Sequence, residues 1–300
     1  MKRIGIIGIG LLGRAVAARL LKGKFEVTGY DKRPQQITAL AARGLTGAAS
    51  IAEAATGADA IFTILPSLQS VEETILGAGG LIETAPRRCT LIQMSTISPD
   101  LTRRLGAAAA AKNLGFLDAP MSGTSAMVER GDCTIFVSGD RARVDACQPI
   151  FDAIAKKTVY VGDVGMASLA KLATNLLVGL NTAALAEAFV LASKGGLAPA
   201  ALLEALKGSA ADSKMLEVRG PLMVSHRFDA QMKIDLFLKD FKLMLEEGLR
   251  LGVPLPLTST TQQLATATAA AGRGEEDLAA IITTIERLAG LQDRASMKKE

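Results

Sequence analysis

A glycine-rich loop close to the N-terminus constrains the fold more than any other stretch of the chain. It reads Gly8-Ile-Gly10-Leu-Leu-Gly13, follows a short apolar run and precedes an amphipathic helical pattern over residues 11–22. At such a strand-to-helix junction the first glycine permits the tight turn, the second lets the backbone approach a pyrophosphate, and the third lets the helix pack against the strand. The helix N-terminus adds unpaired N–H groups and a partial positive charge. The loop therefore predicts a dinucleotide site.

An acidic residue further along the chain supports this interpretation. A second predicted strand, 26–30, ends directly before Asp31, eighteen residues after Gly13. A carboxylate at that point accepts hydrogen bonds from both ribose hydroxyls of an adenosine and repels the 2′-phosphate of NADP. Lys32 and Arg33 come next, and cations there attract the same phosphate. We therefore predict NAD as the cofactor and keep NADP as the alternative.

Strand and helix patterns alternate through the first half of the chain. Apolar runs typical of strands occupy 3–8, 26–30, 60–65, 90–94, 115–118, 134–138 and 158–161, and the clearest helical patterns occupy 11–22, 34–43, 98–112 and 140–155. Such alternation implies a mostly parallel sheet with right-handed crossovers. The expected fold class is therefore α/β, with an N-terminal Rossmann-type doubly wound sheet.

The pattern changes near residue 163. Beyond it the periodicity is helical only, over 165–194, 198–207, 233–252, 254–271 and 275–290. An all-α domain that begins with a long helix is therefore expected to follow the sheet. We predict a dinucleotide-binding domain over 1–163 and a helical domain for substrate binding and oligomerisation over 164–300.

Composition excludes several kinds of site. A single histidine, His226, and three cysteines without C-x-x-C spacing argue against a clustered metal site. The basic residues are scattered apart from a short run at 294–300, which favours a solvated end over a nucleic-acid contact. The absence of a secretory signal and of about 18 uninterrupted apolar residues predicts a cytoplasmic protein without a membrane span.

The long predicted helix carries a lysine in apolar surroundings. On a helix, Ser168, Lys171, Asn175 and Thr182 fall within a stripe of about 60°. Such a stripe needs a polar cavity, and the groove between the two domains is the expected one. Desolvation and a neighbouring positive nicotinamide would lower the pKa of the lysine, which could then exchange a proton with an alcohol. The structural alternative is a lysine that extends to solvent from a helix interface.

The glycine loop, the acid after the second strand and the lysine of the long helix occur in the order typical of one family. The chain resembles the β-hydroxyacid dehydrogenases, which include 3-hydroxyisobutyrate dehydrogenase and tartronate semialdehyde reductase. The resemblance covers about residues 1–290. Its segments are GIGLLG with Leu11 and Leu12, LPS at 65–67, MSTISP at 94–99, DAPMSGT at 118–124, GMASLAKLATN at 165–175 and FLKDFKLMLEEGLRLGVPLPL at 237–257. Leu12 stands where methionine is usual in the family, and two further departures matter more: Thr124 stands where a second glycine is frequent, and Thr174 where asparagine is frequent.

The resemblance implies a role for each site residue. It makes Lys171 the general acid/base, and Asn175 the residue that orients the substrate. The implied substrate-carboxylate residues are Ser122, Gly123 and Thr124, and those that border the cofactor are Leu65, Pro66 and Thr96. From the late helix, Lys239 and Asp240 would reach cofactor and substrate. Each segment also has a structural alternative, namely a turn at 122–123, a helix cap at 96–99 and a solvated helix face at 239–240.

The expected activity is hydride transfer between NAD(P) and a small β-hydroxy acid or its semialdehyde, as in 3-hydroxyisobutyrate dehydrogenase. A reductase of tartronate or succinic semialdehyde, or of glyoxylate, is an alternative within the same class. An imine reductase and a non-catalytic dinucleotide-binding protein are further alternatives, and Lys171 argues against both. The apolar faces of the long helix exceed what one small domain covers, so we also expect a homodimer or homotetramer.

Overall fold

The computed structural model describes residues 1–291, so the basic run at 294–300 lies outside the described residues. Nine strands occur in the first part of the chain: β1 Arg3–Ile7, β2 Glu26–Tyr30, β3 Thr46–Gly47, β4 Ala60–Thr63, β5 Thr90–Gln93, β6 Gly115–Asp118, β7 Met121–Ser122, β8 Thr134–Gly139 and β9 Lys157–Tyr160. The helices among them are α1 Leu11–Lys22, α2 Gln35–Ala41, α3 Ile51–Ala55, α4 Leu68–Leu76, α5 Leu81–Thr84, α6 Pro99–Ala111, α7 Ser125–Arg130 and α8 Arg141–Ile154.

The remainder is helical. It contains α9 Met166–Lys194, α10 Pro199–Leu206, α11 Lys214–Ser225, α12 Ile234–Leu251, α13 Pro256–Thr268 and α14 Ile281–Leu288, with a π-helical turn at Ala269–Arg273 and a 3-10 turn at Leu278–Ala280. Contacts divide the chain into two compact units, Met1–Lys171 and a second that begins at Leu172. Domain bounds at 163 and 164 stay a prediction.

The sheet has the order β3-β2-β1-β4-β5-β6-β8-β7, and β9 pairs with β8. From β3 to β6 all neighbours are parallel. Next to β6 the direction reverses, because β8 is antiparallel to β6 and to β7. The chain order reverses between β1 and β4, and at such a switch point the carboxyl ends of the strands leave a crevice for a ligand. The glycine loop begins at the end of β1, beside this crevice.

Apolar side chains cover both faces of the parallel strands. Alternate residues of a strand point to opposite faces, and adjacent residues accordingly enter different core clusters. Phe62 and Ile92 belong to one cluster with residues of α1 and α8, whereas Ile61 and Leu91 belong to another with residues of α4 and α6. Helices on both faces of a mostly parallel sheet confirm the predicted Rossmann-type class, followed by helices that begin with the long α9.

The structure adds elements that the sequence patterns did not predict. The short helices α3, α5 and α7 have at most six residues, too few for an apolar period to stand out. Helix α11 gives no clear period in the sequence because Gly220 and Pro221 interrupt its pattern, although the helix continues through them. The predicted helix 254–271 ends at Thr268, and Gly272 in the following turn has a non-helical φ of 85°.

Candidate active site

The glycine loop has the shape that its sequence predicts. Gly8 has a φ of +99°, and a Cβ there would lie 2.2 Å from the Ile64 carbonyl oxygen. At Gly13 a Cβ would lie 2.0 Å from the Gly8 carbonyl oxygen, so α1 can approach β1 only without a side chain. At Gly10 a Cβ would have no described atom within 4 Å. The loop is therefore tight at both ends and open in the middle, which fits a pyrophosphate laid against the helix N-terminus.

Asp31 forms a hydrogen bond directly to this loop. Its Oδ2 accepts a hydrogen bond from the Ile9 N–H at 2.8 Å, and its Oδ1 accepts one from the Arg33 N–H at 2.9 Å. The Arg33 guanidinium also lies 3.4 Å from Oδ1. A carboxylate offers about four lone-pair sites, so these contacts leave room for ribose hydroxyls. Asp31 thus holds the loop through Ile9 and retains acceptor sites for a ligand.

The segment predicted to border the cofactor lies beside the same loop. A Cβ on Gly8 would contact the Leu65 side chain at 3.0 Å, and Pro66 follows as an exposed residue. Ser95, next to Thr96, accepts a hydrogen bond from the Leu65 N–H at 2.8 Å. The sequence gives no signal for the role of Ser95, because a serine after a strand does not indicate such a contact. It connects the end of β5 to the loop after β4.

The residues predicted to bind the substrate carboxylate begin at Ser122, two residues after the buried Ala119–Pro120 pair. Ser122 ends β7, where it pairs with Thr134 of β8. Gly123 has a φ of +149°, and a Cβ there would lie 2.9 Å from the Cys133 Cβ, so a glycine is required. Thr124 caps α7, with its hydroxyl accepting from the Met127 N–H at 3.3 Å. The hydroxyl of this unusual residue is thus engaged with the helix.

The polar stripe of α9 is buried. Ser168, Lys171, Asn175 and Thr182 are 2%, 8%, 3% and 0% exposed, which argues against a lysine extended into solvent. Thr182 donates its hydroxyl to the Val178 carbonyl oxygen at 2.7 Å. Burial of a lysine and an amide one turn apart requires polar partners or a chemical task.

Asn175 is held by the late helix. Its Nδ2 donates to Asp240 Oδ2 at 2.7 Å, and the Lys239 ammonium lies 3.1 Å from Asp240 Oδ1. Asp240 is 5% exposed, so this part of α12 is not a solvated face. Because the amide nitrogen of Asn175 is directed at Asp240, its carbonyl oxygen is the end available to accept a hydrogen bond from another group.

Other reactive groups are poorly suited to catalysis. Burial raises the pKa of Cys89 to about 12 and those of Cys133 and Cys147 to about 11, which keeps these thiols protonated. Within residues 1–291 no group of three or more His, Cys, Asp and Glu side chains is arranged to hold a metal ion. Neither the thiols nor a metal site among the described residues therefore competes with Lys171 as the candidate acid/base.

Comparisons with known proteins agree with this geometry. Residues 3–162 match the family model described as the NAD-binding domain of 6-phosphogluconate dehydrogenase, and residues 165–285 match that described as NAD-binding of NADP-dependent 3-hydroxyisobutyrate dehydrogenase. The chain is 34% identical to 2-(hydroxymethyl)glutarate dehydrogenase of Eubacterium barkeri, over 96% of each protein. It is 32% identical to 2-hydroxy-3-oxopropionate reductase of Escherichia coli, over 96% of this chain and 98% of the relative.

A solved structure shows the same architecture. The crystal structure of 3-hydroxyisobutyrate dehydrogenase from Salmonella typhimurium is 31% identical, with a TM-score of 0.86 over 94% of this chain and 99% of that one. Together the matches confirm the enzyme class, an oxidoreductase that transfers a hydride between NAD(P) and a small β-hydroxy acid or its semialdehyde. With both halves of the sequence matched in order, the chain belongs to the β-hydroxyacid dehydrogenase family.

Proposed function

We propose that Lys171 is the general acid/base of this enzyme. The observation that carries the proposal is its burial, at 8% exposure, on the same helix face as an asparagine whose amide is fixed by a buried carboxylate. In the oxidative direction the neutral Lys171 amine takes the proton of the substrate hydroxyl. In the reductive direction its ammonium returns a proton to the carbonyl oxygen. When bound, the nicotinamide supplies the hydride acceptor or donor.

The remaining residues bind and orient the substrate and cofactor. Ser122, Gly123 and Thr124 hold the substrate carboxylate, partly through backbone N–H groups. Asn175 orients the reacting oxygen through its carbonyl group, because Asp240 fixes the opposite end of its amide. The loop of Gly8, Gly10, Leu11, Leu12 and Gly13 holds the pyrophosphate, and Leu65, Pro66, Thr96 and Lys239 border the cofactor.

Asp31 is expected to make NAD the preferred cofactor, because its carboxylate repels a 2′-phosphate. We expect kcat/KM to be higher with NAD than with NADP, and Asp31→Ser to narrow or reverse that ratio. Arg33→Ala is the matched variant, since the Arg33 guanidinium lies 3.4 Å from the Asp31 carboxylate. Kinetics of the three proteins with both cofactors measure the preference. A wild type that prefers NADP would assign the selectivity to Lys32 and Arg33.

Ser122→Ala is expected to raise KM for acid substrates more than it lowers kcat, because a carboxylate contact exists in the ground state and in the transition state alike. Loss of one hydrogen bond to a charged group amounts to about 1.5–3 kcal/mol, or roughly a ten- to hundredfold rise in KM. A neutral alcohol analogue serves as the control. If Ser122→Ala raises KM for the neutral analogue by the same factor, Ser122 does not recognise the carboxylate.

The acid itself is best identified by a substrate panel. We propose 3-hydroxyisobutyrate, glycerate, 4-hydroxybutyrate and 2-(hydroxymethyl)glutarate in the oxidative direction, with tartronate semialdehyde, succinic semialdehyde and glyoxylate in the reductive direction, each with both cofactors. Turnover of one acid with kcat/KM above about 10⁴ M⁻¹s⁻¹ identifies the substrate. No turnover of any compound, with NADH bound, favours the non-catalytic alternative, and turnover of cyclic imines alone favours an imine reductase.

We also propose a cytoplasmic homodimer or homotetramer, with neither a membrane nor a nucleic acid as partner. Several leucines of the second unit are more than half exposed, at positions 177, 191, 249, 257 and 288. Among the described residues α9 is the one helix that is long and apolar enough to cross a membrane, but the core helix of a folded enzyme has the same length and composition. Light scattering of the purified protein gives the assembled mass.

A further inference from the structure

A buried carboxylate holds the start of the helix that carries Lys171. Asp118, the last residue of β6, is fully buried. Its Oδ2 accepts from the Ser168 N–H at 2.7 Å, and its Oδ1 accepts from the Ser168 hydroxyl at 2.9 Å. One residue of the helix is thus bound at two points, by its backbone and by its side chain. Two points fix the rotation of the first turn as well as its axial position, which a single capping bond does not.

Two further side chains of the sheet unit complete the attachment. Ser138 of β8 donates its hydroxyl to Asp118 Oδ2 at 3.3 Å and accepts from the Ala167 N–H at 3.1 Å. The Thr102 hydroxyl of α6 lies 2.9 Å from the Ser168 hydroxyl. Thr102, Ser138 and Ser168 are all nearly fully buried. The first turn of α9 is therefore attached to two strands and one helix, all of them in the first compact unit.

Burial imposes a desolvation cost on the Asp118 carboxylate, which a helix cap on the protein surface does not pay. It raises the pKa of Asp118 to about 6, although hydrogen bonds from Ser168 and Ser138 act in the opposite direction. The partners found for the carboxylate among the described residues are neutral hydroxyl and N–H groups. A buried acid without a cation is justified energetically only where its hydrogen bonds are well placed.

The position of Asp118 along the chain connects two parts of the proposed site. Lys171 lies three residues after Ser168 on the same helix face, about 4.5 Å further along the axis. Ser122 lies four residues after Asp118 in the segment that follows β6. A displacement of the first turn of α9 would therefore move the lysine relative to the residues that hold the substrate carboxylate.

We propose that Asp118 is a positioning residue, which holds the first turn of α9 on the strand leading to Ser122 and so fixes the Lys171 amine relative to the bound acid. The inference rests on the proposed role of Lys171. The residue does not touch the substrate, and it acts through the geometry of the helix. A misplacement of about 1 Å in an acid/base group lowers a rate by on the order of 10²-fold.

The test is a double-mutant cycle between Asp118→Ala and Lys171→Ala. We expect Asp118→Ala alone to lower kcat by on the order of 10²-fold, with Kd for NADH within about twofold of wild type. In the Lys171→Ala background the same change should lower kcat no further, because the misplaced group is already absent. Amide hydrogen exchange should be faster at Ala167 and Ser168. A full further loss of kcat in the double variant overturns the proposal.

Conservative and control variants separate positioning from folding. In Asp118→Asn the side-chain oxygen can still accept from the Ser168 N–H, and the amide can donate to the Ser168 hydroxyl, so kcat should recover to within about tenfold of wild type. Asp140→Ala removes another carboxylate cap, which accepts from the Arg143 N–H at 2.9 Å, and should leave kcat unchanged. If Asp118→Ala does not fold, Ser138→Ala takes its place in the cycle, with an expected loss of about tenfold.

The outcomes also distinguish this inference from the proposed function. Near-normal kcat in Lys171→Ala alone would contradict the assignment of Lys171 as acid/base. Near-normal kcat in Asp118→Ala, with Lys171→Ala impaired, would contradict only the positioning role. Unchanged hydrogen exchange at Ala167 and Ser168 in Asp118→Ala would overturn the attachment itself, whatever the activity. No recovery in Asp118→Asn, in a variant as stable as wild type, would show that charge rather than position is required and would also overturn the proposal.

Discussion

Lys171→Ala is expected to lower kcat by on the order of 10²–10⁴-fold, because a positioned acid/base contributes about that factor. Binding of NADH should persist, since the glycine loop at residues 8–13 is remote from Lys171 in the chain. Steady-state kinetics with the best acid of the panel, together with fluorescence titration of NADH, measure both quantities. The predicted signature is a large loss in kcat with a cofactor Kd within about twofold of wild type.

Three variants control for this prediction. Lys171→Arg should recover little activity, because a guanidinium stays protonated near neutral pH and cannot act as a base. Lys194→Ala removes an exposed lysine from the last turn of the same helix and should leave kcat unchanged. Asn175→Ala should reduce kcat less than the lysine change if the amide only orients. Near-normal kcat together with a lower melting temperature in Lys171→Ala would make the lysine structural.

Gly10→Ala is expected to abolish most cofactor affinity without destabilising the fold. A Cβ at this position meets no described atom within 4 Å, so the fold itself tolerates it. The methyl group would instead occupy the space into which the pyrophosphate is expected to fit. Overpacking of that kind costs about 1–3 kcal/mol, which corresponds to roughly a ten- to hundredfold higher Kd for NADH. Fluorescence titration measures the Kd, and thermal unfolding measures the stability.

Gly13→Ala is the matched comparison, one helical turn further on. Its Cβ would lie 2.0 Å from the Gly8 carbonyl oxygen, so α1 must move away from β1. We therefore expect a lower melting temperature as well as weaker NADH binding. The two substitutions add the same methyl group, and only their surroundings differ. Gly10→Ala with wild-type affinity for NADH would place the pyrophosphate elsewhere.

Local patterns predicted most strands and the three longest helices of the first unit. The bounds of α1, β2 and β6 agree with the structure residue for residue, because each combines a clear apolar period with a glycine or charged residue at its ends. The glycine loop and Asp31 could be predicted together because dinucleotide binding requires particular residues at fixed spacing. Lys171 could be singled out because a charge on an apolar helix is costly and therefore conspicuous.

Contacts between distant segments could not be predicted in the same way. The bond from Asn175 to Asp240 joins residues 65 apart, and that from Ser168 to Asp118 joins residues 50 apart. Neither pair has a spacing rule, because both depend on how strands and helices pack in three dimensions. Resemblance gave Asp240 a role toward cofactor and substrate but did not reveal its bond to Asn175. In the sequence Asp118 is only the first residue of the DAPMSGT segment, and its attachment to α9 depends on the packing of β6 against the helix.

The double engagement of Asp31 has a consequence for engineering of the enzyme. Its carboxylate accepts a hydrogen bond from the Ile9 N–H inside the glycine loop, and the same carboxylate is the group proposed to repel a 2′-phosphate. If Asp31 selects the cofactor as proposed, cofactor selectivity and loop order depend on the same side chain, so a substitution there changes both unless it retains the hydrogen-bond acceptor. An apolar residue at position 31, installed to favour NADP, would remove the hydrogen bond to the Ile9 N–H. We expect it to weaken the binding of both NAD and NADP. Asp31→Asn removes the negative charge that repels the 2′-phosphate of NADP. Its side-chain oxygen can still accept the hydrogen bond from the Ile9 N–H, so the loop should stay in order.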